Sequence, residues 1–340
     1  MIFEAYQLTS LHPGQWWITS QLMLYAVTFT SFIYIHGYSL VNAQLPSSRS
    51  PSGPGIFVWL GFLVALSFGL PLFVVWYLVN SADSSGDINS RKTSSSPVHN
   101  LRLGNLFVCM VIAAVSTVSM HYLRARLFNF NLVFGHLILI LPFLLMGCCN
   151  NVSVPSKSRD GRKNAIRTHF TVFATFVFIA AMSLAQHIIA TYGLIQFAAQ
   201  AEGGSKQHGY LPLVYPPPAE KHLFQNAVSL GIGYGGEPWN SLPDLLSQLS
   251  KVIVESAMNC SAQMSVTMDV VFITIQTALF IAATMRSRSL TLRILVVAVL
   301  LGIAPVLPMS IVFPAFLAMQ EYTAATEMLT SDTSSNPKND

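Results

Sequence analysis

Asp269 stands about seven residues inside Ala262–Met285, a run otherwise long and apolar enough to cross a bilayer, and the sequence places no other carboxylate in this way. A carboxyl group in hydrocarbon is costly, so an acid there is a functional-site candidate. An acid held neutral in a low-dielectric setting can deliver a proton to a substrate. At a period of 3.6 residues, Ser265, Asp269, Phe272 and Gln276 fall on one helix face, expected to look inward. Ser183, His187 and Thr191 form a second row, and Asn129 with His136 a third. Converging, these rows would floor an apolar cavity with Asp269 as acid, His136 and His187 as proton-handling partners, and Gln276 and Phe272 against the substrate. Glu255 is the reserve acid, about four turns before Asp269 on a continuous helix and nearer the interface. The competing structural reading makes each row interhelical hydrogen-bonding glue. His36 and His121 sit at span ends, where an interfacial structural role is expected.

The elements that must position these residues follow from composition and run length. The chain of 340 residues is 52% hydrophobic and only 9% charged, with a mean hydropathy of +0.53. A helix needs about 20 apolar residues to cross roughly 30 Å of hydrocarbon. Runs of that length occur at Trp17–Tyr38, Ile56–Val79, Leu106–Leu123, Phe128–Cys148, Phe170–Gln196, Ala262–Met285 and Ile294–Met319. The expected fold is therefore an all-α, polytopic transmembrane bundle of seven spans, with eight as the alternative count, forming one membrane domain over residues 1–340. The residues before the first run carry no Lys or Arg and no cleavage pattern, so that run is expected to be retained.

Seven spans put eleven Lys and Arg on the side of the N-terminus and seven on the other, three of the seven in one long loop. The positive-inside rule then makes the N-terminus cytosolic. The net charge of +4 is largely this loop bias, and no basic patch interleaved with aromatics suggests a nucleic-acid partner. Residues 81–103 are Ser-rich and read as a flexible loop, and 330–340 as a disordered tail. Residues 201–251, before the last two spans, keep aromatics among prolines and glycines, which marks a packed cap over the cavity. Tyr210, Tyr215 and Trp239 are its candidate substrate-binding residues.

Several chemistries lack support. Cys109, Cys148, Cys149 and Cys260 show no CxxC spacing, so neither a disulfide framework nor a metal site is expected. There is no P-loop, HExxH or GxSxG pattern, and Gly231-Ile232-Gly233-Tyr234-Gly235-Gly236 follows no strand. Asn80 to Asp87, with Asp83, approaches a magnesium-diphosphate motif but is off by one residue and has no second acidic pair, which argues against a prenyltransferase. No cofactor is expected.

The segment Leu11-His12-Pro13-Gly14-Gln15-Trp16-Trp17 leading into a span, Phe128-Asn129-Phe130-Asn131 opening another that carries His136, and the late Asp269 together resemble the membrane-bound terpene cyclases of fungal meroterpenoid pathways, of the macrophorin and ascochlorin/ascofuranone kind. The likeness is one of pattern over most of the chain. It implies a metal-independent isomerase or lyase of secondary metabolism, multi-pass in the endoplasmic reticulum. Such an enzyme folds a farnesyl chain carried on a quinone, phenol or cyclohexenone. Its partners would be a lipophilic small molecule, the membrane, and the enzymes before and after it in the pathway. The inventory suits that chemistry, which needs an acid to protonate a terminal olefin or epoxide, a dry cavity, aromatic faces for the cation and a weak base. The alternative is a small transporter or scaffold with a proton- or solute-binding intramembrane Asp269.

Overall fold

A computed structural model describes residues 13–37, 54–63, 65–83, 103–119, 125–147, 159–200, 242–258, 261–285 and 289–334. The described residues are helical, with no strand among them. The helices are α1 (Pro13–Phe32), continued by a π-helical turn (Ile33–Gly37), α2 (Gly55–Leu63), α3 (Leu66–Asp83), α4 (Leu103–Ser119), α5 (Ala125–Gly147), α6 (Arg159–Gln200), α7 (Leu242–Met258), α8 (Ser261–Thr284), α9 (Leu290–Ile303) and α10 (Met309–Ser334). Three stretches are long and apolar enough to cross a membrane: Gly14–Gly37, Lys163–Ile195 and Met264–Thr284.

Two of the seven expected spans are each divided. Ile56–Val79 becomes α2 and α3, and Ile294–Met319 becomes α9 and α10. The second division follows from Pro305 and Pro308, which lack a backbone N–H and disfavour helix in the residue before them. The first falls at Ala65 with no proline there. There the two short helices lie backbone to backbone: a Cβ on Gly69 would come within 2.7 Å of the Phe57 carbonyl oxygen and 2.8 Å of the Gly61 nitrogen. Only residues without a side chain at these positions permit that approach.

Boundaries also differ. Residues 242–251, assigned from sequence to the cap loop, begin α7, and Tyr210, Tyr215 and Trp239 lie outside the described residues. Thr330–Ser334, expected to be tail, finish α10. Ser81–Asp83 finish α3 and Leu103 opens α4, while the rest of the Ser-rich loop lies outside the described residues. Glu255 falls in α7 and Asp269 in α8, and residues 259–260, on which one continuous helix through both would depend, lie outside the described residues.

The chain separates into two compact units. The first holds Met1–Tyr25, Ala114–Gly135 and Met182–Phe272. Its core is Trp16, Trp17, Ile18 and Met23 of α1 with Leu132 of α5, Ala190 and Leu194 of α6 and Ala257 of α7; Leu249 and Ile253 of α7 and Val266 and Val270 of α8 pack against them. In α7 these contacts recur at i, i+4 and i+8, the stripe of an amphipathic helix. A polar clamp joins α4 to α5: Ser116 Oγ donates to Asn131 Oδ1 at 2.6 Å, and Asn131 Nδ2 donates to the Ser116 carbonyl at 2.6 Å.

The second unit holds Ala26–Ala113, His136–Ala181 and Ile273–Asp340. Its aromatic centre is Phe32, whose ring lies 5.3 Å from each of Phe73, Phe280 and Phe313 in edge-on contacts. Such pairs add to plain area burial because ring edges and faces carry opposite partial charge. Pro71, inside α3, cannot donate to the carbonyl four residues back. That carbonyl, of Ser67, accepts from Gln276 Nε2 at 2.9 Å, so a neighbouring side chain satisfies the group the proline orphans.

Candidate functional site

Unit 2 brings together three ionisable side chains from three helices. The π-helical turn after α1 carries His36, α6 carries His169 and α10 carries Glu321. His169 Nδ1 lies 2.6 Å from Glu321 Oε2, and His36 Nε2 lies 3.7 Å from Glu321 Oε1. The side chains are 9%, 17% and 10% exposed for His169, His36 and Glu321, so the carboxyl group sits between two imidazoles with little water. A contact of 2.6 Å is in the range of charge-assisted bonds; either imidazole N–H donates to carboxylate or carboxyl O–H donates to imidazole, according to where the proton resides. His169 Nε2 has no hydrogen-bond partner among the described residues.

Aromatic rings enclose the cluster. His36 lies 5.0 Å from Phe32, 6.3 Å from Tyr77 and 6.4 Å from Phe176, the last nearly parallel. Phe73 lies 6.0 Å from Tyr77, and Phe280 lies 5.9 Å from Phe313. Single π-helical turns inside longer helices recur at functional sites, because they re-aim one side chain relative to the regular ladder. Here the re-aimed side chain is His36, on a helix whose side chains are buried from Gly14 to Ile35.

The residues chosen from sequence are distributed differently. Asp269 and His187 fall in unit 1, His136 in unit 2. Asp269 is half-buried. On its expected inward face Phe272 is 51% exposed and Ser265 is exposed, so that face is not buried throughout. His136 packs its ring 5.1 Å from Phe62. Gln276, expected against the substrate, holds the Ser67 carbonyl. The Ser183–His187–Thr191 row does meet another element: Trp17 Nε1 donates to Thr191 Oγ1 at 3.0 Å, and the Trp17 and His187 rings stand 5.7 Å apart. The side chains of Asn129 and Glu255 lie outside the described residues.

Among the described residues Asp269 is the one carboxylate within the three stretches long and apolar enough to cross a membrane, and Glu321 lies outside them, in α10. Glu321 escapes a span drawn to end at Met319, and His169 a span drawn to begin at Phe170. The signal available was the row Phe313, Leu317, Glu321, whose i, i+4, i+8 spacing carries an apolar face straight onto the acid. Among the described residues no group of three His, Cys, Asp or Glu side chains has the arrangement of a metal site. No protein-family model, curated protein or solved structure matches the chain.

Proposed function

We propose that the chain is a multi-pass membrane enzyme that cyclises an isoprenoid chain by protonation, and that Glu321 is its acid. The observation that supports this reading is the buried His36–Glu321–His169 cluster set among Phe32, Tyr77 and Phe176. An unassisted carboxyl group is a weak donor to an olefin. A protonated His169 on Oε2 stabilises the carboxylate left behind, as charge-assisted bonds to a developing anion do, while Oε1, outside bonding distance of His36, carries the proton. That proton adds to the terminal carbon of an olefin, or to an epoxide oxygen. The π electrons of successive double bonds then close the rings, and the cation formed at each stage rests against aromatic faces. The last cation loses a proton to the Glu321 carboxylate, directly or by way of His36, which then passes it to Glu321; the enzyme is restored and an isomer of the starting material is left. Substrates of this class are lipophilic and carry the chain on a quinone, phenol or cyclohexenone, reaching the site from an endoplasmic reticulum bilayer with the N-terminus cytosolic.

The second reading is a proton- or solute-coupled carrier. A carboxyl group with an imidazole on either side, one of them holding a nitrogen without a partner among the described residues, suits a proton relay. Microsomes containing the chain, given a farnesylated phenol or its terminal epoxide, separate the two: the enzyme yields a cyclised product of unchanged mass that Glu321→Gln does not form, and a carrier returns the substrate uncyclised.

A further inference from the structure

The helix α9 is apolar on every side. Of its 14 residues only Thr291 and Arg293 have polar side chains, and none is buried. Arg293, Val296, Val297, Leu300 and Ala304 are half-buried, at the i, i+3, i+4, i+7, i+11 spacing of one face packed along its own unit. The rest is exposed, and a Cβ added at Gly302 would meet nothing within 4 Å. A helix lying on a membrane surface keeps a polar face toward water, and α9 has none.

Its two ends fix its depth. The membrane-crossing stretch of α8 ends at Thr284, and Arg293 Nη2 donates to the Met285 carbonyl at 3.5 Å, which holds the first turn of α9 level with that end. Fourteen residues advance about 21 Å, short of the roughly 30 Å of hydrocarbon, so a helix directed inward stops before the far side. The turn that follows, residues 304–308, is Ala, Pro, Val, Leu and Pro, with Val306 77% and Leu307 37% exposed. Turns in water are built from Gly, Asn, Asp and Ser beside Pro. This one also leaves no backbone donor in need of water. The Ala304 N–H donates to the Leu300 carbonyl at 3.1 Å, those of Val306 and Leu307 donate to the Ile303 carbonyl at 2.9 and 2.7 Å, and Pro305 and Pro308 have no N–H. For its donors, the turn meets the condition that hydrocarbon sets on irregular backbone.

Charge marks the other end. Arg286, Arg288 and Arg293 fall within eight residues, and no Lys or Arg follows before Lys338. We infer that the turn at 304–308 is embedded in hydrocarbon and that α9 is a binding surface for an anionic phospholipid, its phosphate on Arg293 and its acyl chains along Leu290, Ile294 and Leu301. A guanidinium has five donors in a planar fork that matches phosphate, and the Met285 carbonyl uses one. Leu290, Ile294 and Leu301 form the exposed strip that borders Arg293 around the helix, at 71%, 60% and 37% exposure. In the topology expected from the sequence this end faces the cytosol, the side on which anionic lipid is concentrated. The inference stands on α9 and its turn, and not on acid chemistry at Glu321.

The test follows thermal unfolding of the full chain in dodecyl maltoside micelles as dioleoylphosphatidylserine or dioleoylphosphatidylcholine is added. Both lipids are expected to raise the midpoint saturably, the serine lipid at about fivefold lower concentration, the attraction of one basic residue for an anionic surface. Arg293→Gln brings the two lipids level, and Arg293→Lys keeps them apart. If Arg293→Gln does not fold, raising salt from about 0.05 M to about 0.5 M replaces it, and the preference of the unaltered chain is expected to shrink as screening grows. Val306→Asp is expected to lower the midpoint, although a side chain 77% exposed to water would tolerate the change. The inference is overturned if the two lipids act alike on the unaltered chain, or if folded Arg293→Gln keeps the preference. It is equally overturned if salt leaves the preference unmoved or if Val306→Asp is as stable as the unaltered chain. A dimer in density-matched sedimentation that Ala298→Phe dissociates would also overturn it, since a second copy would then cover α9.

Discussion

Replacing Glu321 by glutamine keeps the volume of the side chain and one hydrogen bond to His169 Nδ1, while removing both the charge and the transferable proton. The bond at stake is 2.6 Å long between groups about one-tenth exposed, so it belongs with buried charge-assisted contacts and not with surface pairs. Hydrogen bonds to charged groups contribute about 1.5–3 kcal/mol against about 1 kcal/mol for neutral ones, and Glu321→Gln is accordingly expected to lose about 1–2 kcal/mol. Glu321→Leu leaves His169 Nδ1 buried without this partner and loses more, about 2–3 kcal/mol. Combining Glu321→Leu with His169→Leu restores part of that loss, because removing both members of a buried pair is far milder than removing one. Denaturant titration of the four proteins in mixed micelles gives the coupling, expected at about 1.5–3 kcal/mol. Turnover falls in Glu321→Gln by at least about a hundredfold, the lower bound for losing a general acid. A coupling below about 0.5 kcal/mol, within the range for independent sites, would show that the pair does not form. Full activity in a folded Glu321→Gln would refute its role as proton donor.

Further outcomes follow from other parts of the molecule. Asp269→Asn is expected to keep turnover when the cyclisation is followed by mass spectrometry; a dead Asp269→Asn beside an active Glu321→Gln would return the acid to α8. Gly69→Ala places a Cβ 2.7 Å from the Phe57 carbonyl oxygen, and is expected to cost about 1–3 kcal/mol by overpacking, read as a lowered unfolding midpoint. Gln276→Leu orphans the Ser67 carbonyl beside Pro71 and is expected to destabilise by about 1–3 kcal/mol; Pro71→Ala in the same chain relieves most of that loss, since the backbone then supplies the donor. Asn131→Ala removes both bonds of the α4–α5 clamp and is expected to cost about 1–2 kcal/mol, membrane interhelical bonds averaging about 0.6 kcal/mol each.

Helical class and the location of most helices were legible in the sequence because apolar run length is a strong signal, and α4, α5 and α8 begin and end within a few residues of the runs that announced them. The divisions were only half legible. Pro305 and Pro308 mark the break before α10, whereas the break before α3 depends on Gly61 and Gly69 meeting in space, a tertiary fact that no window of residues contains. The His36–Glu321–His169 cluster went unread for a related reason. A hydropathy window stops where polar residues return, so Glu321 and His169 were excluded by two residues and one. Gln276 was visible as an inward polar residue but not as the partner of a proline-freed carbonyl 209 positions earlier.

The π-helical turn at Ile33–Gly37 makes the length of the first helix a discrete variable. In an α-helix each residue turns the chain by about 100° and advances it about 1.5 Å, so deleting one residue between Ile33 and His36 would rotate the imidazole by more than a quarter turn away from Glu321. Substitutions in this segment exchange one side chain for another and leave the bearing of His36 intact. Insertions and deletions act instead like a change of gear tooth, moving His36 wholesale off the carboxyl group, and a second length change nearby would be needed to bring it back into mesh.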